Sequence, residues 1–171
     1  MKTMKALVVA IALMVGSVAI TQAQDSKIAH IATQELLEQM SAFKTANDEL
    51  QKIETAYDAE IKEMTTALQK KYEQYGREVD TQTDEENMRR TQEVEETKNA
   101  IMTFRQNAAR DLQKKQGELL KPVIEKARET IQKVAREKGF DYVLDSTTGA
   151  SGVLLADGYN LMPDVKKALG M

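Results

Sequence analysis

The chain has 171 residues, 30% of them charged and 5% aromatic, with a formal net charge of −3, one His and neither Cys nor Trp. A mildly acidic balance speaks against nucleic acid as a partner, and a Cys-free chain with one His has no disulfide staple and little with which to hold a transition metal. So few aromatic side chains give a single copy little to fill a compact core, which points to an oligomer.

The first residues read as a secretory leader. Lys2 and Lys5 flank a charged start, Ala6 to Ile20 is apolar, and Thr21-Gln22-Ala23 ends in a small residue before Gln24. The apolar run is short for a membrane span, and without Cys it cannot be a lipoprotein signal. Cleavage after residue 23 is expected, with an uncleaved anchor as the alternative; losing Lys2 and Lys5 takes the net charge from −3 to −5.

Lys27 to Ala32 alternates as a short strand, with Ile28 and His30 on one face and Ala29 and Ile31 on the other. Thr33 is placed to cap a short helix over residues 34–40 that presents Leu36, Leu37 and Met40. Residues 41–44 then turn into the dominant feature, two long antiparallel helices over residues 45–138.

Thr45 and Thr83 are each followed three residues later by an acid, the pattern of a capping box, so they mark two helix starts. Gly139 after Arg136-Glu137-Lys138 marks the stop. Apolar positions on the outgoing arm begin at heptad spacing from Phe43 and drift toward an eleven-residue pattern through Tyr72, Tyr75 and Val79. The returning arm answers with Met88, Val94, Ile101, Phe104, Ala108 and Leu112, then Leu119 to Val134. The tip, residues 80–87, is polar. The outgoing arm carries more acids and the returning arm more bases, which favours their pairing by a small amount per contact. Gly117 and Pro122 interrupt the returning helix, because an interior proline removes a ladder hydrogen bond and crowds the preceding turn; a hinge is expected there.

Beyond the stop, Tyr142 to Asp145 and Val153 to Ala156 read as two strands of a hairpin, and Pro163 opens a final helix with Asp164 in its first turn. The fold class is therefore mainly α with a small β body: a helical hairpin, residues 45–138, projecting from a three-strand base built from residues 24–44 and 139–171.

No catalytic constellation is visible, and no cofactor or metal site is expected. His30 reads best as a packed or edge residue, and Asp141 and Asp145 as solvated or turn-capping carboxylates. Arg89-Arg90 could meet anionic lipid or an acidic client, and a membrane or lipopolysaccharide surface is a candidate partner of the chain, but a solvated helix face is the stronger reading beside Asp84, Glu85 and Glu86. Met64 and Met88 fall on the seam between the arms. Met102, with Ala59, Ala67, Ala109 and Leu120, falls off it, where an unbranched thioether can meet varied surfaces.

The run Leu119-Leu120-Lys121-Pro122-Val123-Ile124, then Ile131, Val134-Ala135 and Gly139-Phe140-Asp141-Tyr142-Val143-Leu144-Asp145, closed by Asp164-Val165, resembles the C-terminal pattern of the Skp/OmpH family of periplasmic chaperones. The leader, first strand and charged hairpin occur in that family's order. The resemblance implies a periplasmic homotrimer whose strands share a β body and whose three hairpins enclose a cavity for unfolded outer-membrane proteins, held without ATP. Ile28, Ile31, Val143, Leu144, Val153 and Leu155, on strands one subunit covers only in part, are the expected trimer interface. Two departures stand out: the best-known members are basic, whereas this chain is acidic, and Met162 stands where the family often has a capping Thr. A structural coiled-coil spacer of the cell envelope is the alternative, which strict heptads would favour and a drifting seam would not.

Overall fold

A computed structural model describes residues 26–149 and 152–171, so the expected leader lies outside the described residues. Strand β1 (Ile28–Ile31) turns Ala29 and Ile31 inward, where both are buried, while Ile28 and His30 face out, as period-two alternation requires. It is the centre of a parallel three-stranded sheet of order β2-β1-β3, with β2 at Tyr142–Asp145 and β3 at Tyr159–Asn160. Ile28 pairs with Tyr142 on one side, and Ala29 with Tyr159 on the other.

This corrects the expected base. Residues 153–156 form no strand, and the chain makes no β2–β3 hairpin. The chain beyond β2 instead returns to the other edge of β1, so that both edges are paired. Val153 and Leu155 therefore lie in a crossover loop, Val153 half-buried and Leu155 exposed.

Helix α1 (Thr33–Gln39) starts one residue earlier than expected. Thr33 is not its cap: Ala32 holds the extended backbone before the helix, and the Thr33 hydroxyl and amide both donate to Asp145 at the end of β2. The cap thus comes from a residue distant in sequence. Met40 is extended, and helix α2 (Ser41–Glu78) begins directly after it, which puts Thr45 inside the helix rather than at its start.

After a single 3₁₀ turn, Val79–Thr81, helix α3 (Asp84–Glu137) returns. Thr83 does cap it, accepting from the Glu86 amide at 3.2 Å. Glu86 does not return the bond, because its carboxylate is taken by Arg89 and Arg90. At about 1.5 Å per residue, the 54 residues of α3 span on the order of 80 Å and run through Gly117 and Pro122 as one continuous helix. The stop is as expected. Gly139 takes φ 74°, its amide bonds Arg136 O, and the Phe140 amide bonds Ala135 O, the paired closure of a Schellman motif.

Helix α4 (Met162–Leu169) carries Pro163 and Asp164 in its first turn. Its missing Thr is replaced from upstream, since Asn160 Oδ1 accepts from the Met162 amide at 2.9 Å. The core lies where α1, the last turns of α3 and α4 close on the inner face of the sheet, around Ile31, Leu36, Leu161 and Val165. A single subunit therefore does close a small core. What it leaves open is the sheet's outer face.

The arm seam also differs from expectation. On α2 the half-buried or buried positions are 43, 46, 50, 53, 57, 61, 64, 68, 71, 75 and 78, a steady spacing of about 3.5 with no drift. Lys71 and Glu78 sit in the seam where Tyr72 and Val79 were expected. An aliphatic stem with a paired head fills a seam position, so regular geometry outweighs side-chain type here.

Candidate functional site

The distal third of the hairpin is held by charge. Lys71 and Tyr75 on α2 both donate to Glu93 on α3, Tyr75 at 2.8 Å. Arg90, whose side chain is only 12% exposed, sits over the Tyr75 ring with its guanidinium carbon 4.7 Å from the ring centre. It donates to Glu86 at 3.0 Å, and its Nη1 lies 2.9 Å from Glu78 as an ion pair without good hydrogen-bond direction. Hydrogen bonds from Arg89 and then Arg90 hold the Glu86 carboxyl down to about 2, and those from Lys71 and Tyr75 lower Glu93. The expected solvated face thus holds for Arg89 and fails for Arg90, which is part of the seam. Further down, Tyr57 donates to Asp111 at 2.8 Å and meets Phe104 edge-on.

With the seam filled in this way, several apolar side chains are left outside. Tyr72 is 66% and Met88 72% exposed, and Val79 and Met102 are exposed as well. Met88 is therefore a surface residue and not a seam residue. Of the surface candidates read from sequence, Ala59, Ala67, Met102 and Ala109 are exposed, while Leu120 is half-buried. Tyr72, Val79 and Met88 were missed. Counting 3.5 strictly from Phe43 would have found Tyr72 and Val79, because it puts Lys71 and Glu78 in the seam and their neighbours outside. Gly117 and Pro122 are both exposed, and open space surrounds a Cβ built on Gly117.

At the base, the outer sheet face shows Ile28, Tyr142 and Leu144, all exposed, beside His30, whose Nδ1 lies 2.9 Å from Ser146 Oγ. Ile31, grouped with the interface in sequence, is 1% exposed inside the subunit's own core and is not available to a partner. Val143 is half-buried and packs against the same core. The inner edge is fastened by carboxylates. Asp141 accepts from the Lys27 amide at 2.9 Å, and Asp145 accepts from Thr33 and Thr147. Burial pushes the Asp145 carboxyl up, but the hydrogen bonds from Thr147 and Thr33 outweigh it and hold it down to about 2. These are structural caps. Among the described residues no group of His, Asp or Glu could hold a metal ion, and no helix is long and apolar enough to cross a membrane.

A family profile described as "Outer membrane protein (OmpH-like)" matches residues 27–169, which take in both the sheet base and the whole hairpin. The chain belongs to the OmpH-like family. A crystal structure of a candidate OmpH-like outer membrane chaperone from Caulobacter crescentus CB15 superposes with a TM-score of 0.72 at 17% identity, covering 84% of this chain and 83% of that one. At that identity the likeness establishes the fold. No curated protein matches the chain. In this OmpH-like chain the recognisable segment from Leu119 to Asp145 is the part that joins arm to base. Val123, Ala127, Ile131 and Val134 carry the α3 stripe into the core, and Gly139 turns the chain into β2.

Proposed function

We propose that this OmpH-like protein is an exported, ATP-independent holding chaperone of the periplasm, a homotrimer joined at the base whose arms keep unfolded outer-membrane proteins soluble. One observation carries the reading. The hairpin satisfies its own seam with charge and regular packing, and leaves Tyr72, Val79, Met88 and Met102 exposed along an arm that reaches far from the base. Scattered apolar side chains on a self-sufficient scaffold give many weak, non-directional contacts to a client that still exposes apolar segments. The family and the chaperone description of the Caulobacter relative support the same reading. The outer sheet face, with Ile28, Tyr142 and Leu144, supplies an apolar patch for the base of an oligomer.

The spacer reading gains support from the seam, whose steady spacing suits a rigid rod. Light scattering separates the two. An unfolded barrel protein is diluted from urea into buffer with a several-fold excess of the mature chain. Suppressed aggregation, weakened when Tyr72, Met88 and Met102 are changed together to Ser, is expected of the chaperone. Unchanged scattering overturns that reading in favour of the spacer.

A further inference from the structure

Leu154 is 101% and Leu155 75% exposed, the most exposed large apolar pair among the described residues. They lie in the loop that crosses from β2 to β3. Ala156, which follows them, lines a small cleft with His30, Ser146, Asn160 and Met162 at the end of the sheet. On the inner side of the sheet, between β2 and α3, an open groove of about 550 Å³ is lined by Leu37, Ile124, Ile131, Phe140 and Val143, with Arg128 and Arg136 on its α3 wall and Asp141 and Asp145 on its β2 side.

We propose that Leu154 and Leu155 of one copy seat in this groove of a second copy, a detail that rests on the homotrimer reading and names how its subunits are joined. The groove is apolar at its floor and of a size to take two leucine side chains. Asp157, two residues beyond Leu155, would then approach Arg128 or Arg136 at the rim, giving the seat one orientation. Each copy has one projecting pair and one groove, so the contact is head-to-tail, and a rotation that closes it makes a ring. Burying the two leucines also removes the apolar surface that a lone subunit exposes in its loop.

The chain contains no Cys, so engineered thiols report without background. Leu154→Cys and Ile124→Cys chains are refolded together and oxidised, and the double variant is oxidised alone; sedimentation of the unsubstituted protein is measured in parallel. The expected result is a disulfide-linked pair in the mixture and a covalent ladder ending at the trimer in the double variant. Leu154→Asp with Leu155→Asp should weaken association at least tenfold while helical circular dichroism is kept. A stable trimer by sedimentation with no cross-link between positions 154 and 124 overturns the seat and leaves the trimer standing. A double variant that closes its disulfide within one chain overturns it by placing the loop in its own groove. A wild-type monomer at micromolar concentration overturns the homotrimer reading and the seat together.

Discussion

Replacing Ile31 with Ala tests whether this side chain belongs to the subunit core or to an interface. Ile31 is 1% exposed and shares its cluster with Leu36 of α1 and with Leu161 and Val165 of α4 and its cap, each fully buried. The substitution removes three carbon groups at about 0.8 kcal/mol each, and a cavity term adds to this because three converging elements restrict collapse; about 3–4 kcal/mol is expected. Against a total stability of about 5–15 kcal/mol this is a large share. With a urea slope of about 2 kcal/mol/M, the unfolding midpoint followed by circular dichroism should fall by about 1.5–2 M at matched protein concentration. Leu144→Asp is the contrast, since Leu144 lies on the exposed outer face. It should dissociate the oligomer in sedimentation while helicity remains, because the charge would be buried only against a neighbour. A midpoint shift under about 0.5 M for Ile31→Ala, or dissociation into folded subunits, would refute the assignment to the core.

Four further outcomes are expected. Asp145 has its carboxyl held down from 3.8 to about 2, so its contribution is fully present above the unfolded value and is lost as pH falls through about 2; the melting-temperature gap between wild type and Asp145→Asn should be constant above pH 4 and shrink toward pH 2. Gly139→Ala meets no steric obstacle but must hold φ near 74°, and should cost roughly 1–2 kcal/mol in chemical unfolding, with Gly139→Asn costing less. Changing Gly117 and Pro122 together to Ala should narrow the distribution of distances between spin labels at position 81 of each copy in the proposed trimer, which should persist; an unchanged broad distribution would move the hinge elsewhere. Intact mass of protein from the envelope fraction should begin at Gln24, allowing for its cyclisation, and retention of Met1 would favour the anchor.

What was legible in the sequence was what local physics decides. Period-two alternation set the two faces of β1, the Gly139 stop needed only its left-handed φ, and Thr83 caps because extended backbone precedes acids that favour the dipole. What was not legible depended on partners distant in sequence. Thr33 looks like a cap but serves Asp145, 112 residues away, and the α1 start follows from Ala32. Val153 to Ala156 has the composition of a strand, yet the edge of β1 is taken by Tyr159 and Asn160, whose parallel pairing leaves no local signature. In the seam, the apolar letters Tyr72 and Val79 misled. Lys71 and Glu78 hold the regular positions only because Glu93 and Arg90 stand opposite, and the returning helix had to be placed before that pairing could be seen.

That exchange of charge for apolar filling has a consequence for function. A hairpin zipped at its distal end by Tyr, Val and Met would spend those side chains inside its own seam and present a polar exterior. Here the distal seam is closed by Lys71, Glu78, Arg90 and Glu93 around Tyr75 and the buried Val94, while Tyr72, Val79 and Met88 are turned outward. Exposed ion pairs are individually weak, so such a tip is held by a network rather than by any one contact. Replacing Lys71 and Glu78 with Leu would test the point by supplying apolar filling: the arm should melt higher, and Tyr72 and Val79 would remain exposed. The aggregation assay should then change little if outward apolar surface is what a client meets. If suppression is lost although that surface is intact, the give of a charge-held tip, and not its exposed side chains, is the working feature.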